Sequence, residues 1–304
     1  MPVPATATDH TAGIRFFEYT SAADPRLPAV PYAVLPADQH APGPTRNIVW
    51  DLSDRLGCPW PATTPGLLAG FLRINAGETI AAQSEATSHL YYVIRGSGRS
   101  RYAGGEIAWA DGDLFTLPSS KSLQHQAERD AALYYVHDQP LLSYLGATAA
   151  APRFSPALYR RDRLLAEIAR VRAEPGAANR NRMGVILGHA DTLLTMTATH
   201  TLWALFNVLP AKAVQKPHRH NSVALDLCLS AEPGTYTLIA KEIDPSGNLI
   251  DPQRADWLPG TAFVTPPGLW HSHHNESGTD AMVLPIQDAG LHTWLRTLDI
   301  RFAR

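Results

Sequence analysis

Short apolar runs separated by turn signals cover two long stretches of the chain. In the first stretch, residues 67–144, the apolar run at 90–94 is followed by Gly96 and Gly98 and then by further short runs. Strands of about five residues, interrupted by glycine roughly every 8–12 residues, are typical of antiparallel sandwiches and barrels. Because the same pattern returns from Thr199 onward, the sequence predicts an all-β protein with two β-rich halves.

The segment between these halves, residues 151–185, has a different pattern. Its apolar residues have the spacing of a helix, with charged residues on the other face: Leu164, Leu165, Ile168 and Val171. Pro175 and Gly176 then end the pattern. We therefore expect a short helical linker.

The second half of the chain repeats the first. In each half a glycine is followed by five residues and a proline: Gly112 to Pro118, and Gly260 to Pro266. A repeat of about 140 residues indicates two copies of one β domain. One copy is expected in residues 1–150, and the linker helix with the other copy in residues 151–304.

The composition argues against several classes of partner. The chain has 304 residues, 45% of them hydrophobic and 18% charged, with a formal net charge of -2. It has no basic excess to attract nucleic acid or an anionic membrane, and its apolar runs are shorter than the roughly 20 residues of a membrane span. We expect a globular protein without a nucleic-acid or membrane partner.

The two cysteines, Cys58 and Cys228, lie far apart and form no CxxC pair. This usage suits a reducing cytosol and argues against a disulfide framework or a thiolate zinc site. The first residues, Met1 to Pro4, lack the charged and apolar regions of a secretory signal. The sequence thus predicts a cytoplasmic protein.

Histidine is abundant, with 13 residues, and three of them have the spacing of a metal site. His218 and His220 are two residues apart, so on a strand they point to the same face. His271 follows a turn formed by Gly260 and Pro266. Three neutral imidazoles that converge leave open positions on an octahedral ion, which suits Fe(II), Mn(II), Co(II) or Ni(II), and Zn(II) is a further candidate.

These motifs resemble those of the cupin superfamily, and the repeat resembles a bicupin. The second cupin motif is matched at each of its fixed positions: Gly260, Pro266, Gly268, His271 and Asn275. The first cupin motif is matched at His218 and His220 but not at its usual glutamate. The positions expected for that glutamate hold Ala224 and Leu225, and the nearest carboxylate is the next residue, Asp226. A three-histidine site of this kind resembles the gentisate and salicylate 1,2-dioxygenase branch, as do residues 218–225 and 265–273.

The resemblance implies two cupin barrels and a non-haem Fe(II) dioxygenase that cleaves a hydroxybenzoate- or aminophenol-like ring with O2. The metal ligands would be His218, His220 and His271. His273 and Asp226 are the candidate catalytic residues: His273 would handle the phenol proton or stabilise the bound oxygen. The candidate substrate contacts are Trp270, Trp203, Arg219 and Gln287.

Asp226 raises a question about the substrate. The resembling enzymes carry an arginine near this point that pairs with the substrate carboxylate, whereas two like charges about 4 Å apart cost roughly 4 kcal/mol. Either another cation, such as Arg219 or Lys216, takes the carboxylate, or the substrate is a neutral or amine-bearing aromatic.

The first copy lacks the metal motif. The repeat aligns Gln83 and Glu85 with His218 and His220, and Leu123 with His271. Only His125 has a histidine counterpart, His273. We therefore expect a first barrel without metal and with a structural role.

Two other functions stay open at this point. A cupin can use its metal as a Lewis acid in a lyase, isomerase or decarboxylase, or it can bind metal and ligand without catalysis, because one fold hosts many activities. The resemblance to bicupins also implies a homo-oligomer, a dimer or tetramer, and exposed sheet edges agree with it.

Overall fold

The computed structural model of this protein describes residues 10–23, 25–82, 84–180 and 182–303. Two positions used above, the start at Met1 to Pro4 and Gln83, lie outside these residues. Within them, no helix is long and apolar enough to cross a membrane.

Strands dominate both halves of the chain. Those before residue 160 are β1 (Val34–Leu35), β2 (Arg46–Val49), β3 (Leu68–Ile74), β4 (Thr79–Ala81), β5 (Ser88–Tyr102), β6 (Gly105–Ala110), β7 (Leu114–Pro118), β8 (Gln124–His137) and β9 (Ala157–Tyr159). Those after it are β10 (Met183–Leu187), β11 (Trp203–Leu209), β12 (Val214–His220), β13 (Ala224–Ser230), β14 (Thr235–Ala240), β15 (Gln253–Asp256), β16 (Ala262–Thr265), β17 (Trp270–Asn275), β18 (Ala281–Gln287) and β19 (Ile300–Phe302).

The α-helices are short and lie outside the strand runs. They are α1 (Ser53–Leu56), α2 (Gln139–Leu145), α3 (Arg161–Arg172) and α4 (Ala289–Leu295). Helix α3 is the predicted linker, and it buries Leu164, Ile168 and Val171, which confirms the helical spacing. Single 3-10 turns occur at Tyr19–Ala23, Ala37–His40, Ala177–Asn179 and Ala190–Thr192.

The strands form two antiparallel barrels, which confirms the all-β prediction. The first barrel is one sheet in the order β2-β3-β8-β5-β7-β9, with β4 added on β8 and β6 on β5. The second barrel has two sheets, in the orders β1-β16-β13-β18-β11-β10 and β15-β14-β17-β12-β19.

Each barrel takes one strand from the other half of the sequence. Strand β1 pairs with β16, with Val34 opposite Phe263, and therefore lies in the second barrel. Strand β9 pairs with β7, with Leu158 opposite Phe115, and lies in the first. The domain boundary between residues 150 and 151 stays a prediction. Strand β1 precedes this boundary but lies in the second barrel, and strand β9 follows it but lies in the first.

Successive side chains of a strand alternate between the apolar cluster shared by the two barrels and the apolar cluster inside one barrel. In β13, Leu225 and Leu227 belong to a large apolar cluster that contains residues of both halves, including Tyr134 of the first. Cys228, of opposite parity to these leucines, belongs to the cluster inside the second barrel, with Trp257. Because successive side chains point to opposite faces, even-numbered positions of β13 face the barrel interior.

Candidate metal centre

Three buried imidazoles meet inside the second barrel. Strand β12 carries His218 and His220, strand β17 carries His271, and the register sets His218 directly opposite His271. The ring centroid of His271 lies 4.1 Å from that of His218 and 4.9 Å from that of His220. One nitrogen of each ring can be chosen so that all three lie within 4.8 Å of one another.

The backbone fixes the orientation of each ring. Every Nδ1 is hydrogen-bonded to a carbonyl oxygen two residues away: His218 to Lys216 at 3.4 Å, His220 to Ser222 at 2.8 Å and His271 to Leu269 at 3.1 Å. Since a neutral imidazole has one donor and one acceptor nitrogen, these bonds place the proton on Nδ1 and leave the Nε2 lone pair available.

The Nε2 atoms of this group suit a divalent metal ion. Nε2 of His220 is buried and has no hydrogen-bond partner among the residues that the structure describes. Burial lowers the pKa of all three rings, that of His220 to about 4, so they are neutral at pH 7. Neutral imidazoles whose other nitrogen is held by a second group are the usual metal ligands of proteins.

A backbone hydrogen bond from Gly268 joins the second cupin motif to the first. Gly268 has a φ of 77°, in the left-handed region that favours glycine. Its N–H donates to the carbonyl oxygen of His220 at 2.7 Å. The turn before β17 is therefore bonded to the strand that carries the other two histidines.

Arg182, just before β10, reaches into this site. Its Nη2 donates to Nε2 of His218 at 2.5 Å and to Nε2 of His273 at 3.3 Å. Its Nη1 is buried without a partner in the described part of the chain. Burial lowers the pKa of Arg182 to about 10, so the guanidinium remains charged at neutral pH.

Asp226 lies on the facing sheet. It is buried, on the interior parity of β13, and its Oδ2 accepts a hydrogen bond from Thr265 Oγ1 at 2.5 Å. Burial raises the pKa of Asp226 to about 6, although the Thr265 hydrogen bond and the charge of Arg182 act in the opposite direction. The interior thus holds one acidic and one basic side chain that influence each other.

His273 belongs to an arrangement that both barrels share. Its Nδ1 bonds to Thr237 Oγ1 at 2.8 Å, and Trp257 Nε1 donates to the same oxygen at 2.8 Å. In the first barrel, His125 Nδ1 bonds to Ser100 Oγ at 2.7 Å, and Trp109 Nε1 donates to that oxygen at 2.8 Å. The alignment of His125 with His273 is confirmed by these identical contacts.

Two of the predicted substrate contacts lie on the interior side of the sheet that faces the histidines. Gln287 Oε1 accepts from Ser222 Oγ at 2.8 Å, and the same hydroxyl lies 3.1 Å from His220 Nδ1. Trp203 is half-buried and pairs with Gln287 across β11 and β18. Gln287 therefore reaches a histidine of the group through Ser222.

The other two predicted contacts are not brought to the histidines. Arg219 alternates with His218 and His220, and Trp270 precedes His271, so both project from the opposite face of the sheet. There the Arg219 guanidinium lies 5.3 Å from the centroid of the Trp270 ring. The cation beside the histidines is Arg182 instead.

The first barrel has no comparable group of metal-ligating side chains within the described ranges. Leu123, which aligns with His271, is buried in its apolar interior, and Glu85 is exposed. The barrel does contain His89, His125 and His137, all buried. The repeat pointed only to His125, because His89 and His137 lie outside the two motifs.

The fold is shared with solved protein structures. The salicylate 1,2-dioxygenase from Pseudaminobacter salicylatoxidans superposes with a TM-score of 0.69 at 16% identity, covering 91% of this chain and 89% of that one. The chain folds as a bicupin. The cupin 2 conserved barrel domain protein from Leptotrichia buccalis also matches, with a TM-score of 0.52, 13% identity, and coverage of 84% and 95%.

Sequence comparison relates the bicupin to two curated enzymes. It is 29% identical over 86 residues to a 5-nitrosalicylic acid 1,2-dioxygenase from Bradyrhizobium sp., covering 28% of this chain and 42% of that protein. It is 29% identical over 85 residues to a 5-aminosalicylate 1,2-dioxygenase from Comamonas sp., covering 28% and 23%. The bicupin thus matches less than half the length of either relative, and no family model matches it. The local sequence similarity and the shared fold confirm the resemblance to salicylate-type 1,2-dioxygenases that the motifs indicate.

Proposed function

We propose that this bicupin is a non-haem Fe(II) dioxygenase that cleaves the ring of a hydroxybenzoate with O2. The observation that carries the proposal is the convergence of three neutral histidines, His218, His220 and His271, whose Nδ1 atoms are all held by the backbone. A bound iron ion would supply open positions that bring an aromatic substrate and O2 together in one geometry.

Arg182 supports a substrate that carries a carboxylate. It is the buried cation beside the histidines, and a guanidinium can hold a carboxylate by two parallel N–H bonds. This removes the reason to favour a neutral substrate, because Asp226 no longer faces an incoming carboxylate alone. The similar curated proteins also act, by their names, on substituted salicylates.

His273 would accept the proton of the substrate hydroxyl. Its Nδ1–H is directed to Thr237 Oγ1, so the lone pair of Nε2 points to Arg182 and the histidine group. Its ring lies 5.6 Å from that of His271. Burial and the charge of Arg182 lower the pKa of this ring, so it is neutral before the reaction. The negative charge of the phenolate left beside it would offset the burial that opposes its protonation.

The test is a His218→Ala protein with His274→Ala as the matched control. His274 lies on β17 beside these residues, but it stacks on Tyr236 on the outer face. We expect His218→Ala to lose both bound iron and salicylate-dependent O2 uptake, and His274→Ala to keep both. Full O2-dependent turnover in His218→Ala would contradict the proposal. Turnover without O2 in the Zn(II) form would instead establish a Lewis-acid enzyme.

We also propose a cytoplasmic homo-oligomer. Both cysteines are free thiols, as expected in a reducing compartment.

Large apolar side chains stand exposed at Phe16, Phe17, Leu194 and Trp294, and exposed apolar patches often mark interfaces. Sedimentation of the purified protein should give a dimer or tetramer, and a monomer at micromolar concentration would contradict this.

A further inference from the structure

A small, half-open cavity lies at the mouth of the first barrel, between a buried floor and the exposed side chains of Asn47, Val49 and Pro61. Its volume is about 170 Å³. Six of the residues around it combine apolar and hydrogen-bonding groups: Leu72, Ala82, Ser84, Tyr91, Tyr135 and His137. Such a mixture, mostly apolar with a few polar groups, is typical of a small-molecule site.

Buried polar atoms without partners lie in the wall of this cavity and behind it. The Tyr135 hydroxyl makes no hydrogen bond of good geometry with the described residues, although that side chain is only 4% exposed; its one weak contact among those residues is with the side chain of Asn47, which also lines the cavity. Nδ1 of His89 and Nε2 of His125 are likewise buried and unpartnered there. His89 bonds through its other nitrogen to Ser84, and His125 lies 4.5 Å from the Tyr91 ring, so both contact residues of the cavity wall.

The backbone leaves room for the Tyr135 hydroxyl. A Cβ atom at Gly70 would lie 2.6 Å from the hydroxyl oxygen and 2.2 Å from the carbonyl oxygen of Ile48. Glycine is therefore required at this crossing of β3 with β2 and β8. An unsatisfied buried donor costs about 1–3 kcal/mol, and a bound molecule with an acceptor group would remove that cost.

The residues that line the cavity determine which charge and size of ligand it can accept. None of its described residues carries a formal charge at neutral pH, because burial lowers the pKa of His137 to about 3. An anion would enter without a cation to pair with, which is costly in a buried site. An engineered cavity of about 150 Å³ binds benzene, so this volume suits one six-membered ring.

We propose that the first barrel binds an uncharged, phenol-sized aromatic molecule whose hydroxyl or amino group bonds to the Tyr135 hydroxyl. This site is separate from the histidine group of the second barrel and does not depend on the function proposed for it. His137 lines the site as a neutral group, and His89 and His125 lie behind its wall against Ser84 and Tyr91.

Calorimetric titration of the metal-loaded protein with phenol tests this site. Tyr135→Phe should weaken phenol binding about tenfold, the loss of one hydrogen bond. Tyr134→Phe is the matched control, because its hydroxyl is also buried and unpartnered but its ring packs between the barrels. Tyr134→Phe and His271→Ala should both retain the affinity of the native protein, and benzoate should bind more weakly than phenol.

Thermal unfolding shows whether the variants fold. Both tyrosine variants should melt near the native temperature, since neither hydroxyl makes a hydrogen bond of good geometry with the described residues. Equal phenol affinity in Tyr135→Phe and Tyr134→Phe would overturn the proposal, as would loss of binding in His271→Ala. Benzoate binding as tight as that of phenol, or no phenol binding at all, would do the same.

Discussion

The guanidinium of Arg182 donates a hydrogen bond to Nε2 of His218, across 2.5 Å. That lone pair is the one a metal ion would need, because the backbone holds the Nδ1 proton of the same ring. A bound metal and this hydrogen bond therefore exclude each other. When metal binds, Arg182 loses one partner and gains free donors next to the ion.

Replacing Arg182 with methionine should strengthen metal binding. Methionine keeps an unbranched apolar side chain but removes both the competing donor and a positive charge near the ion. We expect the affinity for Co(II), measured by competition with a chelator, to rise about tenfold, which corresponds to about 1.4 kcal/mol. Arg219→Met, on the outer face of β12, should leave the affinity unchanged. Weaker metal binding in Arg182→Met would show that the arginine supports the site.

The same substitution should weaken the binding of a carboxylate-bearing substrate. A charge-assisted hydrogen bond contributes about 1.5–3 kcal/mol, so the KM of Arg182→Met for salicylate should rise by about ten- to a hundredfold. The KM for 2-aminophenol, which has no carboxylate, should change little. Parallel steady-state O2 uptake with both compounds measures the difference. An equal rise for both would assign Arg182 to general packing.

Asp226 should make salicylate binding depend on pH. Burial raises the pKa of its carboxyl to about 6, so the group is neutral below that pH and negative above it. Two negative charges about 10 Å apart at an effective dielectric of 20 repel by roughly 1.7 kcal/mol. The KM for salicylate should therefore rise roughly tenfold between pH 5 and 7.5.

The Asp226→Asn variant serves as the reference for this profile. Its amide has no charge at any pH, so its salicylate KM should stay near the native value at pH 5 across the range. A KM for 2-aminophenol that rises in parallel would trace the effect to another group. An unchanged salicylate profile in Asp226→Asn would refute the role of Asp226.

The shared hydroxyl contacts make a stability prediction for both barrels. Thr237 Oγ1 accepts from Trp257 and bonds to His273, and Ser100 Oγ does the same for Trp109 and His125. Thr237→Val and Ser100→Ala would each leave these buried ring nitrogens without their partner. We expect each to lower the free energy of unfolding by about 2–4 kcal/mol.

Thermal denaturation of the purified variants measures this loss. Thr237→Ser keeps the hydroxyl and should retain most of the stability, which separates the hydrogen bonds from side-chain volume. A Thr237→Val protein as stable as the native one would mean that neighbouring groups or water satisfy the rings.

The metal site could be predicted because strand geometry has a simple period. His218 and His220 share a face because residues two apart on any strand do, and Gly268 of the motif sets the turn before His271. The other motif glycine, Gly260, lies before β16 instead. The same alternation places Arg219 and Trp270 on the outer face, because each is one position away from a histidine of the group. Their role as substrate contacts stays a prediction.

Arg182 could not be found in this way. It lies alone, 36 positions before His218, with no repeat counterpart and no motif, and only the packing of the segment before β10 brings it to the histidines. His89 and His137 were missed for a related reason. They belong to long strands of the first barrel, where tertiary packing and not spacing decides which polar groups become buried.

Strands β1 and β9 make each barrel structurally incomplete without the other. A fragment that began at residue 151 would hold all three metal-ligating histidines, yet the edge of β16 that now pairs with Val34–Leu35 would be bare. Bare edges recruit strands from other molecules. The two barrels are thus interlocked through these short strands, and we expect either barrel expressed without the other to be less stable and more prone to associate.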